Sequence, residues 1–133
     1  MKNFAKRVSA LVLALAVSAA VLCPAAFAAA SLPDLPKDQC VVDDANILSA
    51  STTQTIVDLN NQLQSSCDGA QIGVLTVDYT GNYSTEDYAA QAFNAWGIGS
   101  ASRNNGVLIL LVMESPIYED GDYYVTYGDG FRN

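Results

Sequence analysis

The chain contains no histidine, and of its six lysine and arginine residues only Lys37, Arg103 and Arg132 lie beyond residue 28. Without histidine the commonest general base is missing, and with it every Ser-His-Asp and Cys-His arrangement. Scarce cations exclude nucleic acid as a partner, because phosphate binding needs clustered Lys and Arg. Three cysteines with no histidine make no zinc set. There is no Walker A motif, no internal repeat and no low-complexity segment. Trp96-Gly97-Ile98-Gly99 lacks the third glycine and the preceding strand of a dinucleotide fingerprint. Asp120-Gly121-Asp122 has no EF-hand spacing around it and fits a solvated hairpin tip.

The longest apolar run, Val8 to Leu22, also falls short of the ~20 residues that a membrane span requires. Its setting is that of a Sec-type signal peptide: Lys2, Lys6 and Arg7 precede it, and Ala26-Phe27-Ala28 follows as a small-x-small cleavage site, with a second cut available after Ala30. Acylation of Cys23 is disfavoured by the bulk of Leu22 before it. The expectation is an export segment over residues 1–28, a secreted or cell-envelope location, a Pro-containing linker over 29–40 and one small domain over 41–133. Removing residues 1–28 takes three cations and no acid, so the charge moves from −8 to 3 − 14 = −11. Such acidity suits solubility outside the cell, cation binding or a basic partner. Cys23 leaves with the signal, and Cys40 and Cys67 remain as a candidate disulfide in an oxidising compartment. Such a bridge would stabilise by about 3.5 kcal/mol from loop entropy.

Local patterns predict the elements. Cys40-Val41-Val42 is short and extended. Ser49 or Ser51 caps a first helix, with Ile56, Leu59 and Leu63 on its buried face and Cys67-Asp68-Gly69 as its stop. Gln71 to Tyr79 reads as a strand from its Ile, Val and Thr content. Ser84 caps a second helix, striped by Tyr88, Ala89, Ala92, Phe93 and Trp96 and ended by Gly97. Val107 to Met113 is apolar without alternation, the pattern of a strand covered on both faces, and Tyr123 to Tyr127 returns after the Asp120-Gly121 turn. This order predicts an α/β domain in which the second helix crosses between two parallel strands and the last strand is antiparallel. Two helices are thin cover for so apolar a strand, and the pattern predicts a domain that continues past Asn133.

That topology brings three glycine-rich segments to one edge of the sheet: Trp96 to Gly99, Asn104-Asn105-Gly106 and Gly128-Asp129-Gly130. Glycines there either let the backbone approach a ligand or serve as turn residues. The Asn and Asp oxygens suit Ca²⁺ or another hard divalent cation.

Four segments resemble the TPM domain family, found in thylakoid-lumen proteins of photosystem II repair and in bacterial envelope proteins. They are Val41-Val42-Asp43-Asp44-Ala45-Asn46-Ile47-Leu48-Ser49, Tyr88-Ala89 through Phe93-Asn94-Ala95-Trp96-Gly97-Ile98-Gly99, Asn105-Gly106-Val107-Leu108-Ile109-Leu110-Leu111, and Tyr127-Gly128-Asp129-Gly130. The resemblance implies a three-layer α/β/α sandwich with a small mixed central sheet, of which this chain holds the first part, further helices following in the family. It implies divalent-cation binding, with Asp43, Asn105 and Asp129 as metal-site residues by motif position, although Asp129 stands where an aromatic or aliphatic residue is expected. It also implies acid phosphatase activity on a small phosphorylated substrate, or a non-catalytic role through membrane or envelope protein partners. A secreted acidic domain with an unrelated ligand is the third reading.

Overall fold

The computed structural model describes residues 31–37, 39–115 and 119–132. The expected export segment, with Cys23 and both cleavage points, lies outside the described residues. The elements run β1 (Val41–Asp43), α1 (Ala50–Ser66), β2 (Gln71–Tyr79), α2 (Thr85–Trp96), β3 (Gly106–Glu114) and β4 (Asp122–Tyr127), then a 3-10 turn over Asp129–Phe131. One four-stranded sheet has the order β1-β2-β3-β4. The first three strands are parallel and β4 is antiparallel to β3. The α/β expectation therefore holds, as a small sandwich with a mixed sheet.

Both helices start where a serine satisfies an otherwise orphaned backbone donor. The Ser49 hydroxyl accepts from Thr52 N at 3.1 Å, and the Ser84 hydroxyl from Asp87 N at 3.1 Å. Gly97 closes α2 in the left-handed conformation, φ +60°, a backbone shape that glycine adopts without steric cost.

The even-numbered residues of β3 and the odd-numbered ones of β2 meet α2. Leu75, Val77, Leu108, Leu110 and Val112 pack with Tyr88, Ala89, Ala92 and Ile98 into the main core. On the opposite face Val41 and Val74 pack with Ile56 and Val57 of α1, the smaller cluster. The expected face of α1 needs correction: Leu59 is 42% exposed, and the inward stripe is Thr53, Ile56, Val57, Asn60 and Leu63, all half-buried. That stripe keeps the 3.6-residue period only if it includes the polar Asn60, and Leu59 then falls outside it.

The expectation for β3 is also corrected. Its burial alternates: Leu108, Leu110 and Val112 are buried, while Val107, Ile109, Leu111 and Met113 are half-buried. Cover is complete only on the α2 face, because α1 lies over β1 and β2. The two β-α-β crossovers step the same way along the sheet yet place their helices on opposite faces. They therefore have opposite hands, so one of them departs from the right-handed rule.

The residues before β1 lie against the domain. Leu32 packs on the main core, and the Trp96 indole Nε1–H donates to Pro33 O at 3.0 Å. With this arrangement, Leu110→Ala is expected to cost about 2–5 kcal/mol in denaturant unfolding, whereas Leu59→Ala stays within about 0.5 kcal/mol of the parent.

Candidate functional site

Chemistry-bearing residues gather at the two ends of the strands. At the carboxyl ends of the parallel strands, Asp43 closes β1 opposite Thr76 of β2. The buried Thr76 hydroxyl donates to Asp43 Oδ1 at 2.6 Å and accepts from Ala45 N at 3.1 Å. Ile47 N donates to the same carboxylate oxygen and Leu48 N to Oδ2, both at 3.0 Å. Asp43 thus holds the 44–48 turn that delivers the chain to the Ser49 cap. Burial acts to raise the Asp43 carboxyl, but the hydrogen bonds from Thr76, Ile47 and Leu48 outweigh it and hold the group below its ordinary range. At the same end Thr85 Oγ1 donates to Asp122 Oδ2. The Tyr88 phenol is pushed up by its burial and by the nearby charge of Asp44.

The opposite end assembles the glycine-rich segments as the topology predicts, but they pack on one another. A Cβ on Gly99 would fall on Gly106 N, and a Cβ on Gly128 would fall on Asn104 O. The α2–β3 loop thus crosses the start of β3 and the end of β4 backbone to backbone. Gly106 and Gly128 are turned inward to that crossing, and Gly97 caps α2. Asn105 is engaged with protein: its Oδ1 accepts from Ser100 N at 3.0 Å and its Nδ2 donates to Cys67 O at 3.2 Å. Asp129 pairs with Arg132 at 3.4 Å, both well exposed.

The three expected cation ligands therefore do not form one site. Asn105 and Asp129 share the glycine-rich end. Asp43 is level, through Thr76, with Leu111, six residues along β3 from Asn105, or about 20 Å. A calcium shell needs oxygens at about 2.3–2.6 Å from one centre, so the set does not fit a single ion. Among the described residues there is no group of three His, Cys, Asp or Glu side chains able to hold a metal.

Cys40 and Cys67 are free thiols, the first buried and the second exposed, where the sequence suggests a bridge. Asn60 lies beside the first of them. Its side chain hydrogen-bonds Cys40, whose thiol is pushed up by burial against that opposing bond. Cys67 lies seven residues beyond Asn60, a rise of about 10 Å along a helix.

Two features had no signal in the sequence. Asn60 pairs with the start of β2 where that strand runs past β1: its Nδ2 donates to Ile72 O at 2.9 Å and its Oδ1 accepts from Ile72 N at 2.7 Å. Asn60 also borders a cleft of about 740 Å³, together with Leu32, Cys40, Gln64, Gln71 and Trp96. The second feature is the sheet face away from α2. There Val107, Ile109 and Leu111 stand directly opposite Tyr127, Val125 and Tyr123, and the three β4 residues are 49%, 43% and 70% exposed. Phe131 extends this apolar strip with an edge-to-face contact to Tyr127 at 6.4 Å.

Because Asp43 titrates low in the folded protein, its contribution to stability is present above the ordinary carboxylate range and is lost as pH falls through its folded value. Asp43→Ala strands the Thr76, Ile47 and Leu48 donors and is expected to cost about 1–3 kcal/mol at pH 7. In Asp43→Asn the acid-side decline should be shallower than in the parent, as measured by urea midpoints between pH 3 and 7.

Three comparisons place this geometry. Solved structures match, among them the solution NMR structure of the N-terminal domain of a protein from P. gingivalis, at 24% identity and a TM-score of 0.58. The alignment covers 71% of this chain and 56% of that one, so this chain spans little more than half the length of that structure, and the likeness is one of fold. No curated protein matches. The model of the TPM domain family, named for a TPM phosphatase, matches residues 41–133, and the chain belongs to that family.

Proposed function

We propose that this TPM domain is exported to the cell envelope and works there as a non-catalytic interaction module, supporting a membrane protein complex. The observation that carries this reading is the sheet face formed by Val107, Ile109 and Leu111 with Tyr123, Val125 and Tyr127, over whose β4 side no helix lies among the described residues. A contiguous apolar patch of this kind, rimmed by polar residues, is characteristic of protein contact surfaces. Tyrosines suit such a surface because they bring large contact area with few rotatable bonds. The surrounding chain is strongly acidic, so the partner that fits is an envelope or membrane protein with an apolar surface flanked by Lys and Arg. A photo-crosslinking residue placed at Tyr123 or Tyr127 in living cells is expected to trap one membrane protein. The same residue at Gln62, on the outer side of α1, is expected to trap none. Equal trapping from all three positions contradicts the reading.

A second reading, cation binding, is favoured by the ionised Asp43 at the end of β1 with Asp44 exposed beside it. Open α/β sheets bind ligands at the carboxyl ends of their parallel strands. Under this reading, millimolar Ca²⁺ raises the melting temperature. The rise is lost in Asp44→Asn and kept in Asp129→Asn, which lies at the other end of the sheet. No rise with Ca²⁺ or Mg²⁺ removes this reading. The phosphatase activity carried by the family name belongs with it, and hydrolysis of a generic phosphomonoester with and without metal tests that activity directly.

A further inference from the structure

Among the described residues β4 is the last strand of the sheet, and its backbone groups can be assigned to sides. Gly128 N–H donates to Gly106 O at 2.9 Å, just beyond the registered pair Val107 and Tyr127. In an antiparallel ladder the inward and outward residues alternate. Asp122, Tyr124 and Thr126 therefore share the β3-facing set with Gly128. The N–H and C=O groups of Tyr123, Val125 and Tyr127 point away from the sheet.

Edge strands are usually protected by lysine, proline or a bulge. The segment Asp122 to Tyr127 has no Lys or Pro, and its register with β3 is continuous. Its only charge is Asp122, at one end. The outward groups also match their own reverse. About Val125, antiparallel pairing of β4 with itself sets Val125 opposite Val125 and Tyr123 opposite Tyr127.

Charge favours the same arrangement. Glu119, Asp120 and Asp122 lie at the start of β4, whereas Arg132 follows its end, and Arg103 O is close to Gly130 there. Lys37, Arg103 and Arg132 are the chain's only cations beyond residue 28. Asp68 and Asp129 balance the two arginines, so reversed strands set the acidic end of each copy against a neutral end of the other, whereas parallel strands would stack the acids. The pairs Arg103–Asp68 and Arg132–Asp129 are exposed, so they hold the arginines only weakly.

We propose that a second copy of this chain pairs with β4 in antiparallel register about a two-fold axis at Val125, joining the two sheets into one of eight strands. The partner is a copy of the chain itself because the register and the tyrosine pairs are self-complementary, and the reversed order keeps the acidic ends of the two copies apart. This goes beyond the interaction reading, since it uses the edge of β4 in the plane of the sheet and leaves the apolar face open. Tyr123 and Tyr127 of one copy then stand beside Tyr127 and Tyr123 of the other on that face, where cross-strand aromatic pairs add to the backbone ladder.

Sedimentation velocity of the processed, exported protein over a concentration series, with backbone amide exchange followed by NMR, tests the proposal. The expected result is a monomer–dimer equilibrium in which the Tyr123, Val125 and Tyr127 amides become as protected as those of Tyr124 and Thr126. Val125→Pro removes an outward donor that the β3 ladder does not use, a position where an edge strand tolerates proline. It is expected to raise the dimer dissociation constant by about tenfold or more while Tyr124 and Thr126 remain protected. If that variant fails to fold, Val125→Lys, which sets two like charges together on the axis, is expected to give the same loss. A protein that stays monomeric overturns the proposal. So does a dimer whose outward amides exchange freely, or one that persists unchanged in a folded Val125→Lys variant.

Discussion

The parallel ladder between β2 and β3 organises everything else in this domain. It pairs Gln71 with Gly106 and continues residue by residue to Val77 with Val112. That single register decides which side chains meet α2 and which do not, because a slip of one residue would exchange the two faces. It also sets Gly106 where the α2–β3 loop must cross it, at the contact with Gly99. Leu75, Leu108 and Leu110, with no exposed surface, are the packing consequence. The half-buried row Val107, Ile109 and Leu111 is the other consequence of the same alternation.

The ladder also separates the two ends of the sheet, and with them the chemistry. Asp43 and Thr76 belong to the carboxyl ends of the parallel strands, Asn105 and Asp129 to the opposite end. Each end is organised chiefly around its own backbone. Asp43 holds a turn, Asn105 ties a loop to the end of α1, and the glycines admit neighbouring strands. Among the described residues, the sheet surface over β3 and β4 and the edge of β4 beside it carry no helix or further strand. Structure and function thus connect through cover: α2 is amphipathic enough to bury one face, and α1 is displaced toward β1 and β2.

Much of this was legible in the sequence because its causes are local. Ser84 and Gly97 delimit α2 by capping chemistry within a turn of themselves, and Gln71 to Tyr79 is a strand by composition. Meeting of the glycine-rich segments at one edge followed from element order alone. Other roles depend on partners far along the chain. Asn60 reads as a polar interruption of a helix stripe until Ile72, twelve residues later, supplies the strand backbone it pairs with. Asp43 stood out by motif, yet its work is set by Thr76, thirty-three residues on. The apolar run of β3 suggested cover on both faces because hydropathy records how apolar a strand is, whereas the two helices among the described residues cover one of its faces fully and the other in part. The two cysteines expected as a bridge stand as free thiols, one buried and one exposed, a difference in setting that pairing them by count does not register.

The central claim is that, among the described residues, α2 seals one face of β3 and β4, and the other face is only partly covered. Solvent paramagnetic relaxation measured on the methyl groups with a soluble gadolinium chelate tests it directly. The expected result is strong relaxation at Val125, intermediate relaxation at Val107 and Leu111, and near-complete protection at Leu108, Leu110 and Val112. Equal protection of the two sets would contradict it.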